Sequence, residues 1–277
     1  MSTILSNRVQ KIKPSATLAV SDKAKQLKAQ GVQIVSMGSG EPDFDTPVNI
    51  QKAATQAIGA GETRYTAVDG TPQLKKAICE KFKRENGLDY SINEVMVSSG
   101  GKQVFYNLCQ AILSKGDEVI IPTPYWVSYP DIAILADATP VFIEAGLDQE
   151  FKITAEQLES SINANTKLFV LNSPSNPTGA VYTKSEIESL GKVLERHPHV
   201  HVISDDIYEH IRWEDDAFVN IAMACPNLKD RTIILNGVSK AYAMTGWRIG
   251  YAAGPEEIIK AMKKIQGQST SNPSSIS

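Results

Sequence analysis

A single lysine, Lys240, occupies a position where it could act as a nucleophile or a base. The apolar run 232–235 before it predicts a buried strand, which places Lys240 in the loop beyond the strand's carboxyl end. Open α/β sheets bind their ligands there. A lysine partly withdrawn from water loses its proton more readily and can attack a carbonyl group. Because most loop lysines are simply solvated, this interpretation depends on which other groups accompany Lys240.

Three other segments carry groups that complement such a lysine. Gly100-Gly101-Lys102 precedes a predicted helix and could bind an anion through backbone N–H groups, although Gly-Gly before a helix is also an ordinary tight turn. Asp205 ends an apolar strand, where a carboxylate either pairs with a cation or caps a helix. Arg248, eight positions after Lys240, is a second anion-binding group. Together they form the set that holds pyridoxal phosphate: a lysine for its aldehyde, a carboxylate for its ring nitrogen and a phosphate site.

Periodicity along the chain predicts the elements that position these groups. Helices are expected over 15–30, 48–60 and 71–86, and a glycine turn over 38–43. Capping boxes at Thr154 and Thr183 predict two further helix starts. Strands are expected at 34–35, 95–97, 118–121, 167–171, 200–203, 232–235 and 248–252. Strand, glycine turn and helix alternate from Val95 onward, which predicts an α/β fold with a mostly parallel central sheet and helices on both faces.

Composition excludes several classes of function. The 277 residues include 28 basic and 31 acidic side chains, and a net charge of -3 argues against a nucleic-acid surface or an anionic-membrane partner. No apolar run is long enough to cross a bilayer. Cys79, Cys109 and Cys225 are widely separated, so we expect neither disulfides nor a zinc site, and a reducing cytoplasm is the expected location. We predict no metal site.

Seven stretches together resemble the fold-type I, class I pyridoxal-phosphate aminotransferases, in particular the bacterial-type aspartate aminotransferases. The matching stretches are 40–47, 65–70, 100–103, 124–126, 172–179, 204–208 and 239–250. They follow one another in order through nearly the whole chain. The resemblance implies transamination between an amino acid and a 2-oxo acid, with pyridoxal 5'-phosphate as cofactor.

The resemblance also implies a role for each matching residue. Lys240 would be the Schiff-base lysine and proton shuttle, and Asp205 would pair with the ring nitrogen. Catalysis is expected from Lys240, Asp205 and Tyr208. The full set of expected cofactor-binding residues is Tyr65 of the neighbouring subunit, Gly100, Gly101, Lys102, Trp126, Asn176, Asp205, Tyr208, Lys240 and Arg248. Asn176 and Tyr208 would bind the cofactor's 3-oxygen, Trp126 would pack against its ring, and Gly100, Gly101, Lys102 and Arg248 would surround its phosphate.

Substrate contacts are expected from Gly40, Lys102, Trp126 and Asn176. The positive charge of Lys102 would serve either the phosphate or the distal carboxylate of an acidic substrate, which favours aspartate-like and glutamate-like amino acids. Aromatic and prephenate-like substrates stay open. Tyr65 would reach a neighbouring active site, so a homodimer is implied.

The family pattern continues beyond residue 277 into a small C-terminal domain that carries the arginine for the substrate α-carboxylate. We therefore expect a C-terminally truncated chain whose small domain is largely missing. Residues 1–45 would form an arm and part of the small domain, and residues 46–277 the cofactor-binding large domain. Two alternatives follow: a non-catalytic cofactor-binding fragment or regulatory partner, and a β-eliminating lyase on the same fold. A nicotinamide dehydrogenase is not supported, because no GxGxxG opens the sheet.

Overall fold

The computed structural model describes residues 4–14, 16–35, 38, 40–213 and 215–277. Ser15 and Ser39, which we included in a predicted helix and a predicted turn, lie outside the described residues. No helix among the described residues is long and apolar enough to span a membrane.

A single seven-stranded sheet organises the described part of the chain. Its strands are β1 (Val95–Ser98), β2 (Glu118–Thr123), β3 (Thr139–Glu144), β4 (Thr166–Asn172), β5 (His201–Asp205), β6 (Thr232–Gly237) and β7 (Gly250–Ala253). They are ordered β1-β7-β6-β5-β4-β2-β3. Only β7 runs against its neighbours, while all other adjacent pairs are parallel. The predicted mostly parallel α/β fold is therefore confirmed.

The helices are α1 (Asn7–Lys11), α2 (Ala16–Ala29), α3 (Val48–Gly59), α4 (Pro72–Lys81), α5 (Gly101–Ile112), α6 (Ser128–Leu135), α7 (Ala155–Ser161), α8 (Lys184–Arg196), α9 (Ile221–Ala224) and α10 (Glu256–Gly267). The capping boxes expected at Thr154 and Thr183 both form, at the starts of α7 and α8. Thr71 caps α4 by accepting from the backbone N–H of Leu74 at 3.3 Å. The last part of the helix predicted over 71–86 is a π-helical turn (Phe82–Asn86) rather than α-helix.

Two predictions about strands were wrong. Ile34 and Val35 form no strand, and Val35 is 88% exposed, because two apolar residues without a partner strand gain little from an extended conformation. The strand predicted over 248–252 begins only at Gly250, since Arg248 adopts a left-handed φ of 58° that ends the preceding turn. Strand β3 and the helix α6 before it were not predicted.

Both faces of the sheet are apolar, which explains why the central strands read as continuous hydrophobic runs. On one face, α5, α6 and α10 cover strand residues such as Leu168 and Val170. On the other face, the alternate residues Phe169 and Leu171 pack in a cluster with side chains of α7, α8 and α9. This two-sided burial leaves the strand ends as the places where polar groups meet.

A buried ion pair joins α4 to the loop that follows β5. The Lys81 ammonium contacts the Glu209 carboxylate, and both side chains are at most one-tenth exposed. Glu209 also accepts from Asn236 Nδ2 at 2.7 Å and from Asn86 Nδ2 at 3.2 Å. Because Asn236 belongs to β6, Glu209 connects the segment that carries Tyr208 with the strand that leads to Lys240.

Replacing Lys81 should therefore destabilise the chain far more than replacing an exposed lysine of the same helix. We expect Lys81→Met to lower the free energy of unfolding by about 3 kcal/mol, because Glu209 would stay buried without its cation. The matched control Lys76→Met removes an exposed i,i+4 pair with Glu80 and should cost less than about 0.5 kcal/mol. Urea denaturation measures both, and equal losses would contradict a structural role for the Lys81–Glu209 pair.

Candidate active site

The carboxyl ends of β1, β4, β5 and β6 meet around a cavity of about 440 Å³. Parallel strands bring their carboxyl ends to one edge, so the segments that follow them share this space. The cavity is lined by Gly40, Glu41, Gly101, Lys102, Trp126, Tyr129, Asn172, Asn176, Asp205, Ile207, Tyr208, Leu235, Ser239, Lys240, Thr245 and Arg248. Its volume is of the size that proteins use for small-molecule ligands.

Asp205, the last residue of β5, presents a buried carboxyl group to the cavity. It is 5% exposed, and burial raises its pKa from the usual 3.8 to about 6. Hydrogen bonds oppose this rise: the Tyr129 hydroxyl donates to Oδ2 at 2.6 Å, and the Ile207 N–H donates to Oδ1 at 3.3 Å. Among the described residues, no lysine, arginine or histidine forms an ion pair with Asp205. A cationic ligand atom would therefore gain a strong partner here.

Lys240 faces the same cavity from the turn after β6. Burial lowers the pKa of its ammonium group; Glu41 opposes the change and Arg248 adds to it. The Nζ atom donates to the carbonyl oxygen of Gly40 and lies 5.7 Å from the centre of the Tyr208 ring. A lowered pKa increases the fraction of neutral amine, the form that acts as a nucleophile or base.

The backbone packs closely where β1 leads into α5, the part of the cavity predicted to bind the phosphate. Gly100 has a φ of 88°, and a Cβ at this position would overlap the guanidinium of Arg248. A Cβ on Gly250 would likewise overlap the peptide between Gly100 and Gly101. Arg248 is held by bonds that it donates to the carbonyls of Thr245 at 2.9 Å and Ser99 at 3.2 Å. The first-turn N–H groups of α5 and this guanidinium together suit an anion.

Lys102 adds a further positive charge at the same end of the cavity. Its Nζ lies 5.1 Å from the centre of the Trp126 ring. Loss of solvent lowers the pKa of Lys102, and the charge of Arg248 lowers it further. An anion bound between the two cations would relieve this repulsion.

Asn176 and Tyr208, which also line the cavity, approach each other. The amide Nδ2 of Asn176 donates to the Tyr208 hydroxyl at 3.4 Å. Burial raises the pKa of the Tyr208 hydroxyl, and the charge of Asp205 raises it further, while the Asn176 bond opposes the change. Tyr208 therefore stays protonated at neutral pH and can donate to a ligand oxygen.

Of the predicted site residues, nine line the cavity: Gly40, Gly101, Lys102, Trp126, Asn176, Asp205, Tyr208, Lys240 and Arg248. Gly100 lies against Arg248 just behind them. Tyr65 is absent from the lining and is 93% exposed, so this subunit does not bring it to its own cavity.

Sequence reasoning missed Tyr129, whose ring also packs edge-on against Trp126 at 5.2 Å between centroids. Its position three residues after Trp126, at the start of α6, was the available signal.

The sequence profile of the class I and II aminotransferases matches residues 32–277. An aspartate/prephenate aminotransferase from Nitrosomonas europaea is 60% identical over 98% of this chain and 68% of its own length. The chain belongs to the class I and II aminotransferase family.

Solved aspartate aminotransferases have the same fold as this aminotransferase chain. The enzyme from Rhizobium meliloti superposes with a TM-score of 0.95 at 52% identity, over 99% of this chain and 69% of that one. The enzyme from Thermus thermophilus with maleate gives a TM-score of 0.95 at 46% identity, over 99% and 71%. Pyridoxal phosphate is the cofactor of this family, as the sequence predicts.

The residues of this aminotransferase fit that cofactor. Asp205 lacks a cationic partner among the described side chains, which a protonated ring nitrogen would supply. The Gly100 turn leaves no room for a side chain beside Arg248, as a tightly held phosphate requires. Lys240, with its lowered pKa, lines the same cavity.

Replacing Asp205 by asparagine should stabilise the cofactor-free aminotransferase in a pH-dependent way. The unfolded chain releases this proton near pH 4 and the folded chain near pH 6, so Asp205 lowers stability as pH rises through this range. Asp205→Asn should be about equally stable as the parent at pH 4 and up to about 3 kcal/mol more stable at pH 8.

Urea denaturation of both chains from pH 4 to pH 8 measures this difference. Asp89→Asn is the control, because the Asp89 side chain is 82% exposed, and it should change stability by less than about 0.5 kcal/mol at every pH. A stability difference that is independent of pH would show that Asp205 is not held at a raised pKa.

Proposed function

We propose that the cavity transfers the amino group of a dicarboxylic amino acid to a 2-oxo acid, with aspartate as donor and a prephenate-like 2-oxo acid among the acceptors. The observation that carries this proposal is that Lys240, Asp205 and Arg248 line one cavity, with the Gly100 turn packed against Arg248. The substrate classes are supported by the relative that is 60% identical and is named an aspartate/prephenate aminotransferase.

Each requirement of the reaction has a residue that would meet it. When bound, pyridoxal phosphate supplies an aldehyde carbon for amino groups and a ring that withdraws electrons from the substrate's Cα. Lys240 would hold the cofactor between turnovers, and its neutral Nζ would take a proton from the substrate's Cα and return it to the cofactor. Asp205, oriented by Tyr129, would keep the ring nitrogen protonated. Tyr208 and Asn176 would bind the ring's 3-oxygen, and Trp126 would limit the ring's movement.

Dicarboxylic substrates are supported by Lys102, whose ammonium faces the cavity beside Trp126. With Arg248 held against Ser99 on the phosphate side, Lys102 is the cation that remains for a distal carboxylate. Gly40, whose carbonyl accepts from Lys240, would border the substrate on the other side. Maleate, present in the similar Thermus structure, is a dicarboxylate of comparable length.

A homodimer with shared active sites is supported by the exposure of Tyr65. The side chain is 93% exposed and does not line the cavity of its own subunit, so its ring is available to contact a neighbouring subunit. In the proposed dimer, Tyr65 would contact the cofactor phosphate of the neighbouring subunit. Sedimentation velocity of the purified chain measures the assembly directly.

We also infer a division at residue 45, with an arm and part of a small domain before it and the large domain after it. The segment contacts the large domain through Glu41, whose carboxylate accepts from the Thr245 hydroxyl. A cytoplasmic location is supported by the three unpaired cysteines, as expected in a reducing compartment.

The transfer itself is tested with 15N-labelled aspartate and 2-oxoglutarate on the cofactor-loaded chain. We expect labelled glutamate to accumulate over many turnovers. Lys240→Ala should reduce the rate at least about a hundredfold, because the proton transfers at Cα lose their base. Failure to form labelled glutamate, together with release of ammonia and pyruvate from serine, whose Cβ hydroxyl can leave as water, would instead indicate elimination chemistry and would contradict the proposal.

The role of Lys102 is tested by comparing aspartate with alanine as donor. Lys102→Met keeps the length of the side chain and removes its charge. It should lower kcat/KM for aspartate by about 10- to 100-fold, since a hydrogen bond to a charged group contributes about 1.5–3 kcal/mol. The value for alanine, which has no distal carboxylate, should change by less than about threefold. Equal losses with both donors would assign Lys102 to the phosphate.

A further inference from the structure

A glutamine in the protein core makes hydrogen bonds with every polar position of its amide group. Gln266, near the end of α10, is completely buried. Its Nε2 donates to the carbonyls of Val68 at 2.6 Å and Val97 at 2.8 Å. Its Oε1 accepts from Ser98 Oγ at 2.6 Å and Asn107 Nδ2 at 2.8 Å. Two donors and two acceptor positions are the full capacity of an amide side chain.

Three of these partners belong to the two elements whose junction forms the predicted phosphate site. Val97 and Ser98 end β1, and Asn107 lies on the buried side of α5. The turn between them contains Gly100, whose N–H donates to the Ser98 carbonyl at 2.8 Å. Gln266 therefore fixes the strand end and the helix relative to each other on either side of the glycine turn.

The fourth partner belongs to the segment that carries Tyr65. Val68 lies three residues after Tyr65, and the next residue, Asp69, accepts from the Val97 N–H at 3.0 Å. Gly70 then passes so close to Val97 that a Cβ would meet its side chain at 2.6 Å. The same amide thus joins the Tyr65 segment to the strand that ends at the phosphate turn.

Protection of an exposed strand edge does not account for all of these bonds. β1 is an edge strand of the sheet, and a donor to the Val97 carbonyl would suffice to cover that edge. The bonds from Ser98 Oγ and Asn107 instead orient groups at the end of the strand. A buried amide adds little net stability over an apolar side chain of the same shape, whereas it does fix geometry.

We propose that Gln266 is a positioning residue for phosphate recognition, holding the Ser98–Gly101 turn and the Tyr65 segment in one fixed arrangement. The proposal rests on the proposed function, because it takes the glycine turn as the phosphate site. In the proposed dimer, Gln266 of each subunit acts on two sites: the turn of its own cavity and the Tyr65 that it offers to its partner.

The test compares the affinity of the cofactor-free chain for pyridoxal phosphate with its affinity for pyridoxal, which lacks the phosphate. Gln266→Met removes all four hydrogen bonds at similar volume. It should weaken pyridoxal phosphate binding by about 10- to 100-fold, as a displaced anion site loses charge-assisted bonds. Pyridoxal binding should change by less than about threefold. Inorganic phosphate, measured by calorimetry, should show the same loss as pyridoxal phosphate.

Two further variants make the result decisive. Ser98→Ala removes one bond to Gln266 and should reduce the phosphate preference in the same direction, so it decides the question if Gln266→Met does not fold. Thr232→Val is the control: Thr232 is equally buried and donates to the Leu228 carbonyl at 2.8 Å, at the far end of β6. It should lower stability without changing the ratio of the two affinities.

An unchanged affinity ratio in both folded Gln266→Met and Ser98→Ala would overturn the role of Gln266. Equal weakening of pyridoxal and pyridoxal phosphate would do the same, because it would indicate general damage to the fold. If the parent chain itself binds pyridoxal no more weakly than pyridoxal phosphate, the phosphate site of the proposed function fails instead.

Discussion

The active site depends on one electrostatic constraint, the burial of the Asp205 carboxyl group at the end of β5. Burial raises its pKa to about 6, and no cationic side chain among the described residues pairs with it. The folded chain bears this unfavourable burial because strands packed on both faces supply a large apolar core around it. The Tyr129 hydroxyl partly offsets the penalty and fixes one carboxyl oxygen. The ring nitrogen of the proposed cofactor would complete this pairing.

Most of the sheet could be predicted from the sequence because its central strands are buried on both faces. Runs such as 167–171 and 232–235 are continuously apolar, and glycine or capping residues mark the neighbouring helices. Strand β3 was not predicted because it lies at the sheet's edge and contains Pro140, and proline usually argues against a strand. Edge strands need fewer apolar residues and can accept proline on their unpaired side, so local pattern identifies them poorly.

The residues of the candidate site could be predicted where a reactive or glycine-rich segment directly follows a strand in sequence. Lys240 and the turn at Gly100 each come soon after an apolar run, and sheet topology alone brings such segments together. Other contacts join residues far apart in sequence, which local pattern cannot reveal. Tyr129 donates a hydrogen bond to Asp205, 76 positions away, and Gln266 accepts one from Ser98, 168 positions away. Gln266 had a detectable signal, since it continues the buried stripe of Ile259 and Met262 on α10 with a polar residue.

The charges around the cavity would make the two proposed anion sites interdependent. The positive charge of Arg248 lowers the pKa of both Lys102 and Lys240. A phosphate bound at Arg248 cancels much of that charge, so the pKa of Lys102 rises and its ammonium form becomes more stable. Lys102 then binds a substrate carboxylate more strongly, and by linkage the carboxylate strengthens phosphate binding. Burial lowers the pKa of Lys240 as it does that of Lys102, and for Lys240 the charge of Glu41 opposes the change. Arg248 thereby links the protonation of both lysines, the one proposed to bind a carboxylate and the one proposed to react, to the occupancy of the phosphate site.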